Sequence, residues 1–203
     1  QIEPPRFAPA EHNPGLLLDW YRFSSDNWVA YQQRQIDILR AEASGRFITH
    51  NLMGFFDQLD YYRLAAPLDF VSWDNYHYHG ANPTIVAATH DLMWGIKQRN
   101  FWVMEQQAGQ INWSRYNPAF RPGEARLKSW QAIAHGADGV VYFRWRAATA
   151  GSEQYHSGLL DHSARPTRAY HEVRDLAGEI ARLQDRLAGT RPRHVAAILH
   201  DYS

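Results

Sequence analysis

The stretch that decides the fold is FWVMEQQAG, residues 101–109. Four apolar residues run directly into the carboxylate of Glu105 and then into a polar segment that ends in glycine. This pattern predicts a buried strand that ends in an acid. Groups at the carboxyl ends of strands in a parallel α/β sheet face the ligand site, so Glu105 is a candidate catalytic group. The alternative is a strand-end glutamate that caps a helix or meets an arginine.

Three further stretches have the same character, an apolar centre followed by polar or aromatic residues, and they predict strands over 47–51, 69–74 and 139–145. Helices are predicted from Ser24 to about Ala43, over 58–65, over 85–96, from Glu124 up to Gly136, and over 167–188. Strands that alternate with helices indicate a parallel sheet with helices outside.

The predicted fold class is therefore α/β. Because four strand-then-helix units of about 45 residues are half of a closed eight-unit barrel, we expect the second half of a TIM (β/α)8 barrel. This region spans residues 1–190, with an irregular lead-in over 1–13. Residues 194–200 look like the first strand of a following domain, which we place at 191–203.

The composition narrows the classes of partner. Lysine plus arginine and aspartate plus glutamate both number 21, so the net charge is zero and nucleic acid is not expected as a partner. No apolar run is long enough to span a membrane. The absence of cysteine excludes disulfides and thiolate metal sites and fits a reducing cytoplasm. The 8 Trp, 11 Tyr and 9 Phe favour a carbohydrate site, because aromatic faces stack on sugars.

The chemistry suggested by the strand ends is glycoside hydrolysis. All four predicted strands end in polar or aromatic residues, which a purely structural barrel rim does not need. A carboxylate among aromatic and amide groups can attack an anomeric carbon, and retaining glycosidases pair such a nucleophile with a second carboxyl about 5–5.5 Å away. Glu153 is the obvious partner within the chain, and the alternative is a solvated side chain in the loop next to Gly151.

Other chemistries are less favoured. Glu153 and His156 match half of a di-metal motif, but no second copy exists. His77 and His79 lie in a loop that follows a predicted strand, so we expect rim or solvent histidines rather than metal ligands. No nucleophile elbow, phosphate-binding glycine loop or zinc-protease motif is present. Neither a metal nor a cofactor is expected.

The chain resembles the β-galactosidases of glycoside hydrolase family 42 from about residue 11 to residue 190. The motifs that carry the resemblance are Asn13-Pro-Gly-Leu, Asp19-Trp-Tyr-Arg22-Phe, Ser72-Trp-Asp-Asn-Tyr76, Trp102-Val-Met-Glu105-Gln, Asn112-Trp113, Arg121-Pro-Gly, Ala134-His-Gly-Ala-Asp138, Tyr142-Phe-Arg-Trp-Arg146 and Glu153-Gln-Tyr-His156.

The resemblance implies a (β/α)8 barrel in which Glu105 is the nucleophile. It places Tyr76 beside the nucleophile, and the other residues that it implies around the galactosyl ring are Trp113, Phe143, Glu153 and His156. The Asn-Glu pair that carries the acid/base has no counterpart here, so that residue is expected upstream. Some members hold zinc through cysteines, which this chain lacks. The resemblance also implies a second domain that takes part in homotrimer assembly.

The function expected from these observations is carbohydrate metabolism by a cytoplasmic retaining β-galactosidase that hydrolyses terminal β-D-galactosides such as lactose or galacto-oligosaccharides. This chain would carry the nucleophile half of the site and be inactive without the upstream half of the barrel. The alternative is a non-catalytic galactoside-binding module, which the missing acid/base favours. A third reading, a barrel scaffold with no ligand, requires every polar strand end to be coincidental.

Overall fold

A computed structural model of the protein describes residues 5–6, 11–77 and 81–202. Most of the predicted lead-in over residues 1–13, together with His79, lies outside the described residues. The chain divides into two compact units. The first contains the described residues up to His50, residues 55–69 and the segment from His194 onward, and the second contains residues 51–54 and 70–193.

The first unit holds two helices, α1 (Pro14–Glu42) and α2 (Tyr61–Ala65). The predicted start of α1 at Ser24 is wrong. The helix begins at Pro14 because the Asn13 side chain accepts hydrogen bonds from two N–H groups of the first turn and proline suits that turn. Ser25 is instead buried inside the helix, where its hydroxyl accepts the N–H of Asp60 at 3.0 Å.

The segment over 194–200, which we predicted to be a strand, is not one. Residues 191–202 include no strand, and Val195, Ile198 and Leu199 are at least 90% exposed. A strand needs a neighbour with which to exchange backbone hydrogen bonds, and none pairs with this segment among the described residues. Its place at the start of a following domain stays a prediction.

The second unit is built on one sheet of four parallel strands that follow one another in chain order. The strands are β1 (Asn51–Leu52), β2 (Ser72–Asn75), β3 (Phe101–Gln107) and β4 (Ala137–Phe143). The helices of this unit are α3 (Pro83–Lys97), α4 (Glu124–Ala134) and α5 (Arg168–Leu187). The predicted α/β class and parallel strand order are confirmed.

The first predicted strand is wrong in extent, because only Asn51 and Leu52 pair with β2. Residues 47–50 form no strand. The N–H of Ile48 donates to the Asp69 carboxylate at 2.6 Å instead of to a neighbouring strand. The second strand was predicted to begin at Asp69, but β2 begins at Ser72, and Asp69 lies outside it.

The interior of the sheet is apolar where the sequence is apolar. Phe101 and Val103 of β3 are fully buried, and so is Met93 of α3. Gly139 of β4 lies against the Trp102 indole, since a Cβ at this glycine would meet ring atoms at 2.7 Å. Close packing of this kind is a common reason for glycine within a strand. No helix among the described residues has the length and apolar character needed to cross a membrane.

Candidate active site

Glu105 lies near the carboxyl end of β3, where the sequence predicted an acid. The hydroxyl of Tyr76, which follows β2, donates a hydrogen bond of 2.7 Å to its Oε2. Burial raises the pKa of Tyr76, and the hydrogen bond to Glu105 and nearby carboxylates raise it further. The phenol therefore stays protonated and acts as a donor. No second hydrogen bond to Glu105 is found among the described residues.

Aromatic rings surround this hydrogen bond. Trp113, in the segment after β3, meets the Tyr76 ring edge-on with 5.0 Å between centroids. Phe143, the last residue of β4, lies 6.3 Å from Tyr76 in the same kind of contact. Trp113 is 47% exposed, so its ring has surface available for a ligand. Exposed aromatic faces beside a carboxylate are suited to the apolar C–H faces of a sugar.

His156 closes the group from the segment between β4 and α5. Its ring stacks on Trp113 at 5.1 Å and meets Phe143 edge-on at 5.4 Å. The residue is fully buried, and neither ring nitrogen has a hydrogen-bond partner among the described residues. Burial lowers the pKa of His156, and the Arg144 guanidinium lowers it further against the opposing effect of Glu153. A neutral imidazole offers one donor and one acceptor, which matches a ligand hydroxyl.

Glu153 is held by Arg144, the residue that follows β4. One guanidinium nitrogen lies 3.2 Å from the Glu153 carboxylate, and the other donates to its backbone carbonyl at 2.6 Å. The Glu153 carbonyl also accepts the N–H of His156 at 2.9 Å, so one turn carries both side chains. The Glu153 side chain remains 46% exposed. The sequence analysis places Arg144 only among the polar and aromatic residues at the end of the fourth predicted strand.

A second acid, Asp74, lies on β2 opposite Glu105. Its Oδ1 accepts a hydrogen bond of 2.9 Å from the Asn51 side chain of β1. Burial raises the pKa of Asp74 to about 7, with a further contribution from Glu105 and an opposing one from Asn51. The sequence placed Asp74 at a strand end and assigned it no role.

One histidine and three amide side chains complete the surroundings. The buried side chains of Asn75 and Gln106 hydrogen-bond to each other at 2.9 Å. The N–H of His77 donates to the Gln107 side chain at 2.9 Å. Burial lowers the pKa of His77 to about 3, helped by Lys128, so His77 is a neutral residue just past the end of β2 rather than a solvated one.

The structure thus brings together all six residues that the sequence singled out. The ring contacts join Tyr76, Trp113, Phe143 and His156 directly. Glu105 joins them through its hydrogen bond with Tyr76. Glu153 lies in the same turn as His156, and its charge contributes to the raised pKa of Tyr76. Across the described ranges, no group of three or more His, Cys, Asp or Glu side chains is arranged to hold a metal ion.

A carboxylate, a phenol donor and exposed aromatic rings at the carboxyl ends of parallel strands are the arrangement expected for an α/β enzyme, and the solved structures that this chain resembles are TIM-barrel enzymes. The particular family is shown by comparison with known proteins. Residues 1–183 match the family described as β-galactosidase, glycoside hydrolase family 42, and the chain belongs to that family.

The relatives confirm the fold as part of a TIM-barrel enzyme. β-Galactosidase BgaA of a Thermus species is 44% identical over 200 residues, which cover 90% of this chain and 31% of that protein. The solved β-galactosidase of Halorubrum lacusprofundi is 40% identical with a TM-score of 0.82, covering 89% of this chain and 29% of that one. The solved structure of a catalytic mutant of Gan42B, a β-galactosidase from G. stearothermophilus, has a TM-score of 0.86 and is 34% identical, covering all of this chain and 31% of that one.

These coverages have a direct consequence for the molecule. The chain spans about a third of the length of the relatives that it matches, although nearly all of the chain is matched. Membership of the family and the fold follow from the match. The activity, substrate and partners of the whole protein are proposals.

Proposed function

We propose that this chain supplies the nucleophile-bearing part of a retaining β-galactosidase that acts on terminal β-D-galactosides. The observation that carries the proposal is the 2.7 Å hydrogen bond from Tyr76 to Glu105, set among aromatic rings. The phenol engages one carboxylate oxygen, which leaves the other oxygen to attack an anomeric carbon. A covalent glycosyl-enzyme intermediate formed in this way divides one difficult displacement into two easier ones.

The remaining side chains are proposed to bind the galactosyl ring. Trp113 and Phe143 form apolar walls for its C–H faces. His156, with both ring nitrogens unpartnered and buried, and Glu153, with an exposed carboxylate, bind its hydroxyls. A buried polar group without a partner costs about 1–3 kcal/mol, so a ligand that satisfies His156 gains affinity. The substrate proposed is lactose or a galacto-oligosaccharide, and the relatives are named β-galactosidases.

The acid/base residue is proposed to lie in an upstream polypeptide that completes the barrel. Within the chain the obvious second carboxyl, Glu153, is ion-paired with Arg144. An ion-paired carboxylate is a poor proton donor. The same observation favours the alternative function, a galactoside-binding module that does no chemistry. Trimeric assembly and a cytoplasmic location stay predictions.

The test is to assay the chain alone and mixed with the upstream polypeptide, on lactose and on a dinitrophenyl β-galactoside. We expect no turnover of lactose by the chain alone, since the loss of general-acid catalysis costs about 10²–10⁴-fold and part of the pocket is missing. The mixture should hydrolyse lactose, and Glu105→Gln should abolish that activity. A fluorinated galactoside that traps the intermediate should label Glu105, as read by mass spectrometry.

Two outcomes would contradict the proposal. Lactose hydrolysis by the chain alone, abolished by Glu105→Gln, would place the acid/base among these 203 residues, with Glu153 and Asp74 as the candidates. A mixture that binds galactose but neither turns over lactose nor takes the label would favour the binding module.

A further inference from the structure

Asp74 and Glu105 are neighbours across two parallel strands. The register of β2 and β3 sets Asp74 opposite Glu105, just after an irregularity between Trp73 and Asp74. Adjacent strands lie about 4.8 Å apart, and residues in register face the same side of the sheet. Tyr76, two residues after Asp74, is on that side too, as its hydrogen bond to Glu105 requires. The alternate residues, Asn75 and Gln106, form their own hydrogen bond.

No basic side chain compensates these two acids. Within the described residues, neither Asp74 nor Glu105 forms an ion pair with lysine, arginine or histidine. The groups that face them are the Asn51 amide from β1, the Tyr76 phenol after β2 and, at longer range, Glu153, which acts on Tyr76. Two partly buried carboxyls without a cation do not both ionise readily, because each charge disfavours the other.

The neighbours of the two carboxyls differ, and they favour the negative charge on Glu105 over Asp74. The carboxylate of Glu105 receives the Tyr76 hydroxyl, which stabilises its ionised form. Asp74 receives only the neutral amide of Asn51. Burial and the charge of Glu105 raise the pKa of Asp74 to about 7, so below that pH the proton of the pair resides on Asp74.

We propose that Asp74 is a positioning residue that keeps the pair at one negative charge through both halves of the reaction. The proposal rests on the proposed function of Glu105 as the nucleophile. When Glu105 bonds to the anomeric carbon, the glycosidic C–O bond breaks, the leaving group departs with the bond electrons, and Glu105 becomes a neutral ester. Asp74 then no longer faces a charge, so its pKa falls towards the value that burial alone sets, and Asp74 releases a share of its proton to solvent.

The second half reverses the transfer. A water oxygen bonds to the anomeric carbon and one water proton passes to the upstream acid/base, while the ester C–O bond breaks and restores the Glu105 carboxylate. Asp74 then takes a proton back from solvent. An ionised Asp74 beside the ester would place negative charge near the anomeric carbon while positive charge develops there, which favours the breakdown of the intermediate. The pair would thus present one anion to both transition states.

The experiment measures protons released when the active mixture of chain and upstream polypeptide is labelled with a 2-fluoro dinitrophenyl galactoside. The dinitrophenolate leaves as an anion and ester formation consumes no proton, so any proton that appears comes from the protein. At about pH 6, one unit below the Asp74 midpoint, a fall of about one unit in that midpoint should release roughly 0.4 proton from Asp74 per labelled Glu105. Asp74→Asn should lower the proton release by that amount, and any remainder comes from the upstream acid/base, which loses the same neighbouring charge.

Asp138→Asn is the matched control. Asp138 lies on β4 of the same sheet and accepts a hydrogen bond of 2.7 Å from the Asn100 side chain, as Asp74 does from Asn51, but it is exposed. This variant should release as many protons as the unaltered protein. Labelling without proton release would overturn the role of Asp74 and leave the nucleophile intact. No labelling of Glu105 would instead overturn the proposed function.

A second measurement serves if Asp74→Asn fails to fold. The carboxyl ¹³C signal of Asp74 is followed by NMR against pH in the unaltered protein and in Glu105→Gln, whose amide imitates the neutral ester. The titration midpoint of Asp74 should fall by about one pH unit or more in Glu105→Gln, because the neighbouring charge is gone. An unchanged midpoint would mean that the two carboxyls are not coupled and would overturn the inference.

Discussion

At the scale of single residues, Tyr76 and Glu105 are 29 positions apart and meet through one hydrogen bond. Their contact arises because parallel strands bring their carboxyl ends to one edge of the sheet. The Tyr76 hydroxyl remains a donor because its pKa is raised, mainly by burial and next by the hydrogen bond to Glu105. A hydrogen bond to a charged group contributes roughly 1.5–3 kcal/mol.

Tyr76→Phe should lower the rate of glycosylation roughly 10- to 100-fold, because the hydroxyl holds the Glu105 carboxylate in the orientation from which it attacks. The measurement is the rate of labelling of Glu105 by the fluorinated galactoside in the active mixture. Tyr155→Phe is the control, because Tyr155 is 69% exposed in the segment that carries His156. Equal rates in both variants would show that the phenol does not assist Glu105.

At the scale of elements, the segment between β4 and α5 returns the chain to the sheet so that His156 reaches Tyr76. Backbone hydrogen bonds run from Leu159 to the Arg144 carbonyl at 2.8 Å and from Ala147 to the Leu160 carbonyl at 3.0 Å. Gly158 lies between these hydrogen-bonded backbone segments. A Cβ there would meet the Ala147 nitrogen at 2.6 Å and the Leu160 oxygen at 2.9 Å, so only glycine fits.

Gly158→Ala should destabilise the protein by about 1–3 kcal/mol, because backbone rather than a flexible side chain must move. Gly178→Ala is the matched control within α5, where a Cβ would meet only the Arg182 guanidinium at 3.6 Å. That change should stabilise the protein by about 0.5–1 kcal/mol through helix propensity. Urea unfolding followed by tryptophan fluorescence measures both. A destabilisation no larger for Gly158→Ala than for Gly178→Ala would contradict the packing argument.

At the scale of the whole molecule, pH controls stability through a histidine in the interior. His90 of α3 is fully buried, meets Trp73 edge-on and stacks on Phe101. Burial lowers its pKa from 6.5 to about 3, with smaller contributions from His135 and His77. The folded protein holds His90 neutral, so its stabilisation is complete above pH 6.5 and is lost as the pH falls from 6.5 towards 3.

His90→Phe should make stability less dependent on pH. Between about pH 7.5 and about pH 5.5, the loss of unfolding free energy should be smaller in this variant by about 1 kcal/mol. Urea unfolding at the two pH values measures it. His171→Gln, at an exposed position of α5, should behave as the unaltered protein does. The same pH dependence in His90→Phe would show that His90 is not the source.

The sequence by itself determined the local elements and their order. The periodic apolar stripe with Thr167 before it predicted α5, and the structure has that helix over Arg168–Leu187 with Thr167 as its cap. Four apolar runs predicted four parallel strands in chain order, which are confirmed. These features succeed because periodicity and capping depend on residues a few positions apart. The start of α1 was missed because Ser24-Ser25-Asp26 resembles a cap as closely as Asn13-Pro14 does.

Only the tertiary structure decided which polar groups meet. The family motifs pointed to Glu105, Glu153 and His156, but the pairing of Arg144 with Glu153 and of Asp74 with Glu105 depends on how distant segments lie against one another. A shift of one residue in the register of β2 against β3 would turn Asp74 to the other face of the sheet. Nothing in the local sequence of either strand records that register, because it results from packing over the whole sheet.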